Sequence, residues 1–176
     1  MVPHEGLHTR PAQPPPLYVS AFYPGAARVA GRWGDGLWTL ADPERVPKLI
    51  EAYREGCEVA KREPGEIVLQ AQFSWADSDE RALEGCRVCK GTVPDEYYTD
   101  DIHDPREMVR RAEEKISDEE FKQRVIIAAD PAEHVERIRE IEQLGPTVMG
   151  LMNVSGADPL GAIRVYEEHV LPKLRS

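Results

Sequence analysis

At 176 residues, 41% of them hydrophobic and 31% charged, the chain has the size and mixture of one soluble domain with a real core. A formal net charge of −10 disfavours the broad phosphate contacts of a nucleic-acid binder, although a local site for a small anion can still be positive. No apolar run approaches the roughly 18 residues of a membrane span, and MVPHEGLHTRPAQPPP lacks the charged head and apolar stretch of a signal peptide.

Residues 1–16 hold five prolines and no periodic pattern, which predicts an extended lead-in. LYVSA reads as a short buried strand. PGAARVAGR reads as a helix, since proline is accepted in a first turn and the alanines supply small packing residues. LWTL is a second strand after the turn Gly34-Asp35-Gly36. Asp42-Pro43-Glu44 predicts the start of a long helix to about Arg62, with Asp42 as N-cap and Pro43 at the first helical position. Pro64-Gly65 stops it, and EIVLQAQFSW is a third strand.

Residues 77–124 then read as mostly charged helix, an insertion between a strand and its return helix. VIIAA follows as a short apolar piece. Asp130-Pro131-Ala132-Glu133 repeats the cap-proline-acid opening and starts a helix to about Leu144. TVMGLMNV is a fourth strand, and DPLGAIRVYEEHVLPKL is a last amphipathic helix. Strands alternating with helices argue for a parallel α/β sheet with right-handed crossovers. Four such units make either a small open sheet or half of an eight-unit barrel, and spacing alone does not choose.

In parallel α/β folds ligands gather where strands end and helices begin. The first turn of a helix carries unpaired N–H groups and partial positive charge, which together attract phosphate. SAFYPGAA is such a corner. Pro24 has no N–H, so Gly25, Ala26 and Ala27 are its candidate donors; the alternative is a tight strand-to-helix turn with no ligand.

Cys57, Cys86 and Cys89, an odd count without a secretion signal, point to reduced thiols and a cytoplasmic location. Cys86-Arg87-Val88-Cys89 is formally a CxxC pair. Redox or zinc chemistry there needs a strand-to-helix setting or a second ligand pair. Neither is visible, so two thiols on one helical turn are expected. For Trp38 and Trp75 core packing is the expectation. Tyr97-Tyr98 would line a substrate mouth or plug the gap between helices. Asn153 ends a strand, either for turn reasons or to meet a ligand.

The corner SAFYPGAARVAGRWGDGLWT, together with RVIIAADPAEHVERIREIEQLG, GADPL and YEEHVLPKLR in that order, resembles the luciferase-like family of flavin- and deazaflavin-dependent oxidoreductases. Within it, the chain is most similar to the branch of F420-dependent glucose-6-phosphate dehydrogenases. The similarity runs from about Thr9 to Arg175. It implies a (β/α)8 TIM barrel of which this chain is the C-terminal half: four parallel strands with helices and a helical insertion after the third. On that reading residues 1–176 are a single incomplete barrel domain, with 1–16 as lead-in and 77–124 as insertion.

The resemblance implies hydride transfer between coenzyme F420 and a small organic substrate, with FMN and a monooxygenase reaction as the alternative. It places the cofactor's phosphate-bearing tail at Phe22, Tyr23, Gly25 and Ala26. Tyr23 stands where the family often has glycine. It places substrate contacts at Thr39, with Leu40 as the ungapped alternative, and at Arg124. Two lysines that accompany this arginine in sugar-phosphate enzymes fall near Pro43 and near Thr99 or Asp100, so glucose 6-phosphate is disfavoured. The family's proton-handling histidine and its carboxylate belong to the earlier half, so no catalytic residue is assigned. A half barrel leaves two unpaired edges and an apolar face. The implied partner is therefore a complementary N-terminal half-barrel or a second copy in a homodimer, with neither nucleic acid nor membrane.

Overall fold

The computed structural model describes residues 11–94, 101–156 and 158–175. Most of the lead-in and the Tyr97-Tyr98 pair lie outside them. Five parallel strands form one sheet: β1 (Tyr18–Ser20), β2 (Gly36–Leu40), β3 (Glu66–Trp75), β4 (Val125–Ala128) and β5 (Val148–Asn153). Helices α1 (Pro24–Trp33) and α2 (Val46–Val59) follow β1 and β2. After β3 come α3 (Asp79–Cys86), a 3₁₀ turn (Arg87–Thr92), α4 (Pro105–Lys115) and α5 (Asp118–Arg124). Helix α6 (Pro131–Glu142) returns to β5, and α7 (Pro159–Val165) begins the C-terminal helix.

The four expected strands are present, although β1, expected to be buried, is mostly exposed, and VIIA is a fifth. Strand β2 pairs with Glu66–Gln70 of β3, β4 with Gln72–Trp75, and β5 with Val68–Phe73. A strand has two hydrogen-bonding edges, and β5 overlaps both other stretches. So β2 and β4 sit end to end along one edge of β3, while β5 takes the other. Among the described residues β1 pairs with β2 alone and β5 with β3 alone, so the sheet remains open.

One face of the sheet carries the core. Leu37, Leu69 and Phe73 pack there against Leu49 and Tyr53 of α2 and Ile138 of α6. Tyr166 stacks on Phe73 with ring centroids 3.8 Å apart. Its hydroxyl donates to Nδ1 of His134 at 2.8 Å, and His134 Nε2–H donates to the Ala128 carbonyl at 3.0 Å. Burial holds the His134 pKa below its ordinary value, so this imidazole is a neutral structural link. The C-terminal helix widens into a π turn at Tyr166–Val170, just ahead of Pro172, which has no N–H to donate.

Helix α2 starts later than the sequence predicts. Asp42 caps the turn that leads into it, not the regular helix itself: Oδ1 accepts the Glu44 N–H at 2.9 Å, and its carbonyl accepts those of Arg45 and Val46. Asp42 closes a separate turn, and the helix begins at Val46 with Pro47 in its first turn. The insertion has its own small core of Cys86, Phe121 and Val125. Above it the buried Lys90 bonds Glu113 at 3.1 Å and Asp118 at 2.9 Å, and Arg87 reaches the same two carboxylates. Burial pulls the Lys90 ammonium down, but the two carboxylates carry its pKa above the ordinary lysine value.

Helices α1 and α2 cross with their backbones in contact. A Cβ at Gly31 would stand 2.1 Å from the Tyr53 carbonyl oxygen, and one at Gly56 would stand 2.1 Å from that of Arg28. Alanine in a helix is worth about 1 kcal/mol over glycine, whereas forcing backbones apart costs about 1–3 kcal/mol. The clash is with backbone and no rotamer relieves it, so the second effect wins. Gly31→Ala is therefore expected to lower stability by about 2 kcal/mol, read as a lower urea midpoint. Gly25→Ala, with nothing within 4 Å of its new methyl group, should leave the midpoint unchanged or slightly raised.

Candidate active-site cleft

The carboxyl ends of β1 and β2, the start of β4 and the 3₁₀ turn of the insertion enclose an open cleft of about 390 Å³. Four of the six expected site residues border it: Phe22, Tyr23, Thr39 and Arg124. Gly25 and Ala26 lie beside it in the first turn of α1.

The corner after β1 has the geometry its sequence suggested. Strand β1 runs on through Ala21, whose N–H donates to the Trp38 carbonyl at 3.0 Å. Tyr23 is extended at the N-cap position and makes no side-chain cap bond. The first intrahelical bond runs from Ala27 N–H to the Tyr23 carbonyl at 3.0 Å. Ala27 is thereby removed from the candidate donors. The amides of Gly25 and Ala26 precede that bond and have no carbonyl within the helix to accept them. Both residues are exposed, at the carboxyl-terminal rim of the sheet.

The register of β2 decides between Thr39 and Leu40. Thr39 pairs with Leu69 and is 2% exposed, so its side chain belongs to the helix-facing layer. Leu40 pairs with Gln70 and is 39% exposed, on the open face. Thr39 borders the cleft from behind, and the side chain presented at this position is that of Leu40. Trp38 shares the open face, contrary to the expectation that it packs in the core; Trp75 is packed against the core and donates to the Ala129 carbonyl at 2.8 Å. Trp38 Nε1–H donates to Gln70 Oε1 at 3.1 Å. The Gln70 and Gln72 amides both approach the Met152 sulfur at 3.8 Å. These glutamines were not singled out from sequence, although two polar residues at period two in an apolar strand mark a wall that is not core.

Arg124 reaches the cleft, but not alone. Nη1 donates to Asp42 Oδ2, and Nε of Arg45 stands 3.3 Å from the same oxygen. The sheet register creates this cluster. Leu40 ends its pairing at Gln70 and Val125 begins at Gln72, so the residue leaving β2 and the residue entering β4 meet. Arg45 was missed because matching by position put the companion cation at Pro43; the Asp42 turn brings Arg45 into the cleft two residues later. Asn153 has a turn role: Nδ2–H donates to the Pro159 carbonyl and Oδ1 accepts the Ser155 N–H.

A sequence model of the luciferase-like monooxygenase family matches residues 2–147. The chain belongs to this family. It is 33% identical over 175 residues to an F420-dependent glucose-6-phosphate dehydrogenase of Nakamurella multipartita, covering 97% of this chain and 51% of that one. It is 30% identical over 173 residues to an F420-dependent hydroxymycolic acid dehydrogenase of Mycobacterium tuberculosis, covering 96% of this chain and 45% of that one. Among solved structures, an F420-dependent secondary alcohol dehydrogenase in complex with an F420-acetone adduct superposes with a TM-score of 0.87 at 26% identity. The match covers 97% of this chain and 52% of the other. The chain spans about half the length of the curated relatives it matches, and its sheet and helices are the C-terminal half of a (β/α)8 barrel.

Both thiols of the CxxC pair face the insertion core, Cys86 fully and Cys89 in part. Cys86 ends α3, is fully buried, and has its pKa pushed up to about 11 by burial. Cys89 lies in the 3₁₀ turn, packs against the insertion core, and is also raised by burial. A thiol that is neither ionised nor accessible is a poor nucleophile. At pH 8 iodoacetamide is expected to leave Cys86 unlabelled in the folded chain and to label it in urea, read by mass spectrometry; rapid labelling without urea would contradict the burial.

Proposed function

We propose that this chain forms one half of an F420-dependent oxidoreductase, holding the cofactor's phosphate-bearing tail and one wall of the substrate site. The reading is carried by one observation: the Tyr23–Ala26 corner presents two amides without helical acceptors at the carboxyl-terminal rim, next to the cleft. The donor set suits a phosphate, because backbone N–H groups at a helix N-terminus are fixed in direction and partly positive. Gly25 leaves open space around its backbone, and the hydroxyl of the exposed Tyr23 would add a further donor. Bound F420 would supply a hydride acceptor or donor. Phe22 and Tyr23 would flank its tail, Arg124 would contact the substrate, and Leu40, in front of Thr39, would supply the wall.

The remaining strands of a complete barrel would bring the proton-handling residues, and their strands would pair with the free edges of β1 and β5. A second copy of this chain is the alternative occupant of those edges. No described helix is long and apolar enough to cross a membrane, and the free cysteines fit a cytoplasmic setting.

Fluorescence titration tests the cradle. The chain is expected to bind F420 saturably and more tightly than FMN, with little or no alcohol-dependent F420 reduction on its own. Gly25→Glu meets nothing within 4 Å of its new Cβ and puts a carboxylate among the donors; it should weaken F420 binding about tenfold or more while the far-ultraviolet circular dichroism is unchanged. Tighter binding of FMN would move the reading to a flavin monooxygenase, and an unaffected Gly25→Glu variant would remove the corner from the cofactor site.

A further inference from the structure

We infer that Gln70 and Gln72 form a two-donor cradle that selects a ligand carbonyl, and that the Met152 thioether holds the place the carbonyl oxygen takes. This rests on the reading of the cleft as a substrate site. Gln70, Gln72 and Trp38 all border the cleft. Two residues apart on β3, the glutamines stand on the same face of the strand. Met152 lies opposite Gln72 in the pairing of β3 with β5.

Chemistry fixes the orientation of both amides. An indole N–H only donates, so the Gln70 atom 3.1 Å from Trp38 Nε1 is the oxygen. The Gln70 nitrogen is thereby turned toward Met152. A thioether only accepts, so the Gln72 atom facing that sulfur is its nitrogen. The two nitrogens converge, each 3.8 Å from one sulfur atom. The indole that sets Gln70 has room because β5 carries no side chain beneath it. Its Cζ2 lies 3.7 Å from where a Cβ at Gly150 would stand, so the ring reaches from β2 across β3 and lies beside the cradle.

Sulfur is a poor occupant of this place. It is a weak acceptor at a long contact, whereas an oxygen takes N–H donors at about 2.9–3.0 Å. Among the described residues neither amide nitrogen has another acceptor. Met152 is 42% exposed, and its unbranched side chain has three rotatable bonds, so it can swing aside. A carbonyl oxygen has two lone pairs and can accept from both amides. A hydrocarbon of the same shape would cover both donors and leave them unpaired, which costs more than a hydrogen bond gains. Trp38 and Leu40 offer apolar surface to the rest of the ligand. The class is therefore a carbonyl on an apolar body, with Gln70 and Gln72 as its specificity-determining residues and Trp38 as the positioning residue for Gln70.

The test uses binding alone, without F420. Acetophenone and α-methylstyrene, which has a CH₂ group in place of the oxygen, are titrated into the full ¹⁵N-labelled chain. The glutamine side-chain amide and Trp38 indole resonances are followed. Acetophenone is expected to shift the Gln70 and Gln72 amides together and to bind about tenfold more tightly than α-methylstyrene. Gln72→Leu should remove most of that difference by weakening acetophenone, with α-methylstyrene bound as well or better. Met152→Leu nearly conserves volume and removes the competing sulfur, so it should bind acetophenone about threefold more tightly. Equal affinities for the two probes overturn the inference, as does acetophenone binding that leaves the glutamine amides unshifted, or no binding at all. If Gln72→Leu fails to fold by circular dichroism, unchanged or weaker acetophenone binding by Met152→Leu overturns it by itself. Carbonyl selection without F420 binding would count against the cofactor reading only; F420 binding with equal affinity for the two probes would count against the cradle only.

Discussion

One edge of β3 is occupied end to end by two other strands, and the candidate site depends on that arrangement. Strand β3 is ten residues long, twice the length of β2. Once β2 has turned away after Leu40, the backbone groups of Gln72–Trp75 on that edge need other partners, because an unpaired strand edge is both costly and prone to association. The short strand β4 meets this need. The chain that enters β4 is the last helix of the insertion, so the same pairing that completes the sheet carries Arg124 to Asp42, 82 residues earlier in sequence. The insertion then cannot drift as a unit. Its helices are tied to one another through Lys90 and Arg87, and to the sheet through β4.

This explains which parts of the structure were legible in the sequence. Strands β1, β2, β3 and β5 announce themselves as apolar runs bounded by glycine and proline, and the α6 cap by Asp130-Pro131. What escaped was set by tertiary context. VIIA is too short for a periodicity, and its role depends on the overhang of a strand 53 residues earlier. In GLWTL the apolar and polar residues do not alternate with the pleat, so neither the exposure of Trp38 nor the burial of Thr39 can be read locally; pairing with Ile67, Val68 and Leu69 settles both. Asp42-Pro43 and Arg45-Val46-Pro47 are rival helix starts. The second prevails, and the first becomes the turn that brings Arg45 to the cleft. The glutamines of β3 were the readable hint, since a strand bound for a dry core on both faces has no use for them.

Two features that favour anions stand on one rim of an acidic molecule, and they differ in kind. The Gly25 and Ala26 amides carry no counter-charge and cannot rotate, which suits a phosphate held in one place. The Arg45 and Arg124 guanidiniums are flexible side chains that meet on the Asp42 carboxylate. The first is set by the start of a helix and survives most side-chain changes nearby. The second depends on three side chains and can be retuned by one substitution. The relatives differ in what their names say they act on, a sugar phosphate, a hydroxymycolic acid and a secondary alcohol.

The open face sets demands on whatever covers it. Trp38, Leu40 and Met152 are each about two-fifths exposed, and in a complete barrel the interior is a packed layer of side chains. The Gln70 and Gln72 amides donate to a thioether, a weak acceptor, at 3.8 Å. Burying the indole and the thioether would gain free energy in proportion to the apolar area covered, but those amides would lose their access to water in the same step. Whatever covers this face must therefore bring good acceptors to the two glutamines along with apolar surface. Further strands with polar side chains on their inner face, or a ligand with a polar group set against an apolar body, meet both demands; a purely hydrophobic cover would strand the amides and lose much of what it gained.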